Sequence, residues 1–207
     1  MDHLALLTDE IIAMTAAFER APQDQPVAAC PGWTVREVTA HLCGVHRWAE
    51  AALSTTTAPP AYDESVTGGD LVETYSQVAQ SMLNALQQVP TEHACWTFNR
   101  QDQTSGFWQR RQLHELSVHR WDVAPYDLSD EVATDGIDEV VDFFLPRQVR
   151  TGRTSLPEQQ LVLASPGRSW RIGKGPETIV EGSAGELLLR LWGRAEPLPA
   201  AWASLTP

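Results

Sequence analysis

The chain has 207 residues, 43% of them hydrophobic and 20% charged, which is the composition of a globular protein and excludes wholesale disorder. Fifteen basic residues against 27 acidic ones give a net charge of -12, which repels phosphate backbones and anionic lipid and argues against nucleic-acid and membrane partners. Three separated cysteines, Cys30, Cys43 and Cys95, make neither a disulfide framework nor a zinc knuckle, and a lone lysine, Lys174, leaves little for Schiff-base chemistry. No apolar run approaches the roughly 20 residues that a membrane span needs, and the N-terminus lacks the basic start of a signal peptide, so a reducing cytoplasm is the expected compartment.

In chain order, residues 3–20 carry Leu4, Leu7, Ile11, Met14 and Phe18 at three-and-four spacing, which predicts one apolar helical face. Three prolines between Ala21 and Gly32 end it. Thr34-Val35-Arg36-Glu37 has the form of a capping box, with Trp33 and Val38 as a hydrophobic staple. Val35, Val38, Leu42, Val45, Ala49 and Ala52 then mark the stripe of a second helix. A loop rich in Thr, Pro and Ala, 54–69, leads to a third helix opened by Asp70 and closed before Pro90, with Leu71, Tyr75, Val78, Met82 and Leu86 inward. A fourth runs from Ser105 to about Val123, and a short fifth is expected over Asp135 to Leu145.

From Pro157 the period changes. Gln160–Ser165 and Ser169–Ile172 read as a hairpin about Pro166-Gly167, and Thr178–Val180 as a third strand. Ser183 to Glu186 is another capping box, opening a helix that ends at Trp192 and Gly193. The expected fold is mainly α with a small α+β part. An antiparallel four-helix bundle takes residues 1–150, and a short strand-strand-helix module, 151–207, packs on it.

The fourth helix carries the chemistry. Trp108, Gln112, Glu115, His119 and Asp122 follow each other at intervals of four, three, four and three, so they share one stripe. Glu115 and His119 lie about 40° apart around the axis, with Cβ atoms roughly 5 to 6 Å apart. Trp108, Leu116 and Val123 turn the same half of the cylinder inward, and an isolated carboxylate there would cost several kcal/mol, comparable with a domain's whole stability. Such a glutamate must be protonated, paired with a cation or bound to a metal. A third ligand would come from the second helix, where His41 and His46 flank the apolar stripe about equally and periodicity does not choose between them. Either one completes a two-histidine, one-carboxylate set, the donor count of open zinc sites and of non-haem iron. His3, His93 and His114 read as surface residues, the arginines around Arg110, Arg111 and Arg120 as surface pairing, and Cys43 as core.

The segments PGWTVREVTAHLCGVHRWAE (31–50) and GFWQRRQLHELSVHRWDV (106–123), with the tail EGSAGELLLRLWGR (181–194), resemble the actinobacterial maleylpyruvate isomerase family, mycothiol-dependent enzymes of the DinB-like bundle superfamily. The resemblance implies a metal held by His41, in the A-H-L motif, with Glu115 and His119. It also implies a C-terminal arginine beside the thiol substrate, for which Arg190 and Arg194 are the candidates, and it leaves Asp122 to orient a ligand from behind. The expected protein is a divalent-metal enzyme, zinc first among the ions, using a mycothiol-like thiol to isomerise or S-transfer a small electrophile, as a monomer or small homo-oligomer. A metal-dependent hydrolase on the same site, or a regulatory metal- or ligand-binding protein without catalysis, are the alternatives.

Overall fold

The computed structural model describes residues 1–61 and 70–205, so the part of the predicted 54–69 loop from residue 62 onward lies outside the described residues. Among the described residues, seven α-helices and three strands follow in the order α1 (His3–Arg20), α2 (Val35–Leu53), α3 (Leu71–Gln87), α4 (Ser105–Val123), α5 (Asp130–Glu139), α6 (Leu145–Arg150), β1 (Gln160–Ser165), β2 (Arg168–Gly173), β3 (Glu177–Glu181) and α7 (Ala184–Leu191). They divide into two compact units, Met1–Pro125 and Tyr126–Pro207. The division falls before α5, whereas the sequence reading set it at residue 150.

In the first unit α1 packs against α3 and α4, and α2 packs against the same two helices, which closes a four-helix bundle. The apolar stripes read from the sequence are buried: Leu7, Met14 and Phe18 on α1, Val38 and Leu42 on α2, Tyr75, Met82 and Leu86 on α3. The helix starts are made as their caps specify. Glu37 accepts from the Thr34 backbone N–H at 2.8 Å and from its hydroxyl, and Asp70 accepts from the Val72 and Glu73 N–H groups at 2.9 and 3.3 Å. One end of the bundle is filled by Trp48, Trp96, Phe98, Phe107 and Trp108, in mostly edge-to-face contact, with the Trp108 indole donating to the Trp96 carbonyl at 2.8 Å.

Two predicted features need correction. The fifth helix starts five residues early because Ser129 caps it, accepting from the Val132 N–H at 3.3 Å with Asp130 and Glu131 in the first turn. It does not stop at Leu145 either. A π-helical turn, Val140–Phe144, hands it on to α6, and the Leu145 N–H reaches back to the Val140 carbonyl. Pro146, which offers no N–H, is the second residue of α6, directly after the π-helical turn.

In the second unit β1 is central. It pairs antiparallel with β2, Leu163 opposite Trp170, and parallel with β3, Leu163 opposite Val180. Gly167 turns the hairpin with φ +83°. Leu161, Leu163, Trp170, Ile172 and Val180 are buried, and α5 meets α7 so closely at Gly136 that a Cβ there would lie 2.8 Å from Leu188 Cδ2. Ser183 and Glu186 close a reciprocal capping box at the start of α7.

Met82→Ala, in the fully buried centre of α3, is expected to cost about 2–5 kcal/mol in denaturant unfolding. Ile12→Ala, 65% exposed on α1, should change stability by less than about 0.5 kcal/mol.

Candidate metal centre

Helices α2 and α4 meet along a seam with two polar contacts. Deep in it, His46 Nδ1 lies 2.6 Å from Gln112 Oε1. An amide oxygen only accepts, so Nδ1 carries the proton and Nε2 is bare. Burial pushes His46 down to about 4, the Gln112 hydrogen bond and the Glu115 charge opposing it, and its ring lies against that of Tyr75, 5.7 Å between centroids. One turn nearer solvent, His41 Nε2 lies 2.9 Å from Glu115 Oε1, and His119 Nε2 lies 3.5 Å from the same oxygen. Of the two histidines between which spacing leaves the choice open, His41 meets Glu115 and His119, while His46 lies against Gln112.

The donor atoms of His41, Glu115 and His119 all lie within 4.8 Å of one another. Ligands about 2.0–2.2 Å from a zinc ion stand roughly 3.5 Å apart in a tetrahedron, so the three fit a divalent ion with small adjustments. Their side chains are 13%, 19% and 10% exposed, sheltered but reachable from solvent. Each ligand is also held from behind. Arg111 Nη2 donates to Glu115 Oε2 at 2.5 Å, which leaves Oε1 facing the histidines. Asp122 Oδ2 lies 2.9 Å from His119 Nδ1 and accepts from the Cys30 thiol at 3.6 Å. Cys30, His119 and Asp122 form a second set of donors within 4.8 Å, sharing His119 with the first.

The loop before α2 builds the rim. The Val27 N–H bonds the Trp33 carbonyl at 2.9 Å and the Val35 N–H bonds the Gln25 carbonyl at 3.0 Å, a narrow turn completed by Gly32 at φ +85°. It brings Cys30 beside Asp122 and lays the Trp33 indole parallel to the His119 ring, 6.4 Å between centroids, and 5.2 Å from that of His41.

The charges explain themselves. Burial opposes ionisation of Glu115, but Arg111 and hydrogen bonds to His119 and His41 outweigh it and hold the carboxyl well below its ordinary range. Burial likewise disfavours protonated His119, yet Asp122, Cys30 and Glu115 raise it well above its ordinary value. Burial pushes Cys43 and Cys95 up to about 11.

The sequence reading missed Arg111 and Cys30. Arg111, expected in surface pairing, is buried and neutralises Glu115; its position four residues before Glu115 is the signal for that pair. His114, read as a surface residue, is buried. The reason is common to both, because α4 is contacted by α1 and by α2 and is enclosed on most sides. His3 and His93 are half-buried, the latter with Nε2 2.9 Å from the Leu53 carbonyl oxygen. Arg190 and Arg194 are engaged within the second unit, Arg190 with the Glu196 carboxylate and Arg194 with the Trp192 carbonyl at 2.8 Å.

The first unit is thus a four-helix bundle with a histidine–glutamate–histidine cluster on two facing helices. A family model described as the mycothiol maleylpyruvate isomerase N-terminal domain matches residues 4–124, and the chain belongs to that family. Two solved structures are similar, the crystal structure of the mycothiol-dependent maleylpyruvate isomerase and that of a histidine-to-alanine mutant of it. Each has a TM-score of 0.68 and 16% identity, covering 94% of this chain and 89% of the other. At that identity the likeness is one of fold. No curated protein sequence matches the chain significantly. Among the described residues no helix is long and apolar enough to cross a membrane.

Between pH 6.5 and 4 the unfolded chain binds a proton at His46 that the folded chain refuses. The stability from neutral His46 is therefore complete above about pH 6.5 and is lost as pH falls towards 4, by about 3 kcal/mol. Denaturant unfolding of the metal-free protein at pH 7 and 4.5 should show this loss, and His46→Gln should lessen it. Arg111→Met, which strips Glu115 of its cation, should cost about 3 kcal/mol at pH 7 in the same assay.

Proposed function

We propose that the protein is a metal- and thiol-dependent enzyme that isomerises a small electrophile or transfers sulfur to it, with the metal held by His41, Glu115 and His119. The observation that carries this reading is the convergence of those three side chains from α2 and α4 on one solvent-reachable point. Family membership supports it, since the family is named for a mycothiol-using isomerase. A divalent ion in a set of two neutral imidazoles and one carboxylate retains net positive charge and stabilises a thiol as the nucleophilic thiolate. Zinc suits the donors best, because it accepts nitrogen and oxygen in a tetrahedron with one position left over.

The chain's own residues supply the rest. Asp122 accepts the Nδ1 proton of His119, so that a cation displacing the Nε2 proton would find that nitrogen facing the site, the carboxylate–histidine arrangement found behind many metal ligands. Arg111 orients Glu115 and leaves one oxygen for the cation. Trp33 covers the imidazoles of His41 and His119 and limits water there. The C-terminal arginine that the family resemblance implies falls to Arg190 or Arg194, and a separate kinetic comparison of alanine variants at both positions would choose between them.

Protein purified without a histidine tag should hold about one divalent ion per chain by elemental analysis. His41→Ala and Glu115→Gln should lose it, while His46→Gln keeps it. Mycothiol should raise the melting temperature of the metal-loaded protein and leave the metal-free protein unchanged. A wild-type protein that stays metal-free in excess zinc overturns the metal site. Metal-dependent turnover without any thiol would instead favour the hydrolase.

A further inference from the structure

In the second unit, α6, the chain that follows it and β2 enclose a cavity of about 400 Å³, within the range of small-molecule sites. Its wall is apolar, from Val141, Leu145 and Val149 on one side to Leu156 and Ile172 on the other. Val149 and Leu156 are 39% and 40% exposed, and they are two of the few large hydrophobic residues among the described residues that remain so open to water. Isolated exposed apolar side chains need no explanation, but two of them on one cavity mark a binding surface.

The charge around this cavity runs against that of the whole chain. Arg150 and Arg171 both line it. Arg171 is already matched, with Nη1 donating to Gln160 Oε1 at 2.9 Å and to the Glu177 carboxylate. Arg150 makes no ion pair among the described residues and leaves one uncompensated positive charge at the edge of the apolar wall. Arg147 lies near both Arg150 and Arg153, and burial together with these two like charges holds its guanidinium below the ordinary value. In a protein of net charge -12, an unmatched arginine at the edge of an apolar hollow favours an anion with an apolar body.

We propose that this cavity binds an amphipathic monocarboxylate, with its hydrocarbon body between α6 and β2 and its carboxylate on the Arg150 guanidinium. A guanidinium presents parallel N–H groups that match a carboxylate in a bidentate pair. One unmatched charge fits one negative charge, so a carboxylate suits it better than a phosphate dianion. The site is built from residues of the second unit alone and is independent of the metal reading.

The test titrates the full chain with the fluorescent fatty acid cis-parinarate and competes it with decanoate or with decanol, the uncharged analogue of equal length. Saturable binding is expected, with decanoate displacing the probe at least about tenfold more effectively than decanol. Arg150→Ala should weaken decanoate about tenfold and leave decanol unchanged, with the same melting temperature and metal content as the wild type. Val149→Asp, an exposed position where a carboxylate would repel the ligand, should weaken decanoate further. Equal affinity for decanoate and decanol, or no effect of Arg150→Ala, would reduce the cavity to a nonspecific apolar surface and overturn the proposal. So would the absence of saturable binding together with a dimer that Val149→Asp dissociates, which would assign the face to a second copy of the chain.

Discussion

The centre of the first unit depends on one sheltered carboxylate. Glu115 sits on the wall of a bundle whose core is largely apolar, and its charge is tolerable only because each oxygen meets a positive or polarisable partner. Arg111, one turn back on the same helix, takes one oxygen. Two imidazoles from different helices face the other. This division of labour makes the site compatible both with an ion pair inside a metal-free protein and with a cation held between the histidines, and it joins α2 to α4 in either state.

The seam between these helices is graded. At its inner level His46 and Gln112 form a neutral pair, where burial keeps the imidazole uncharged. At its outer level Glu115 and His119 are held in their charged forms, and the side chains are partly open to solvent. Position along the seam, rather than residue type, separates a structural histidine from a candidate ligand. His41 and His46 are five residues apart on one helix, and the difference between them is the partner that α4 presents at each level. The turn of residues 25–35 adds what neither helix could, an indole over the imidazoles and a thiol against the carboxylate that steadies one of them.

The second unit rests on different physics. Its three-stranded sheet is filled by alternate residues of β1 and β2, and α5 and α7 touch at a glycine because any larger side chain would meet Leu188. The π-helical turn carries the helical path from α5 to a proline at the second residue of α6. The arginines that follow, Arg147, Arg150 and Arg153, gather positive charge on one short stretch of a chain that is acidic as a whole.

Much of this was legible beforehand. Helix starts at Thr34, Asp70 and Ser183 follow from side-chain oxygens placed two or three residues before backbone N–H groups, a relation contained within a few residues of sequence. The stripe from Gln112 to Asp122 and the buried faces of α1 to α3 follow from the helical period in the same way. What the amino-acid order alone did not determine are the pairings between distant segments. The parallel union of β1 with β3, the commitment of His46 to Gln112, the enclosure of Arg111 and His114, and the meeting of Cys30 with Asp122 all depend on which helices and strands become neighbours. Local geometry is set by short-range sterics and hydrogen bonding, whereas those meetings are decided by the packing of whole apolar faces, which only the folded chain brings together.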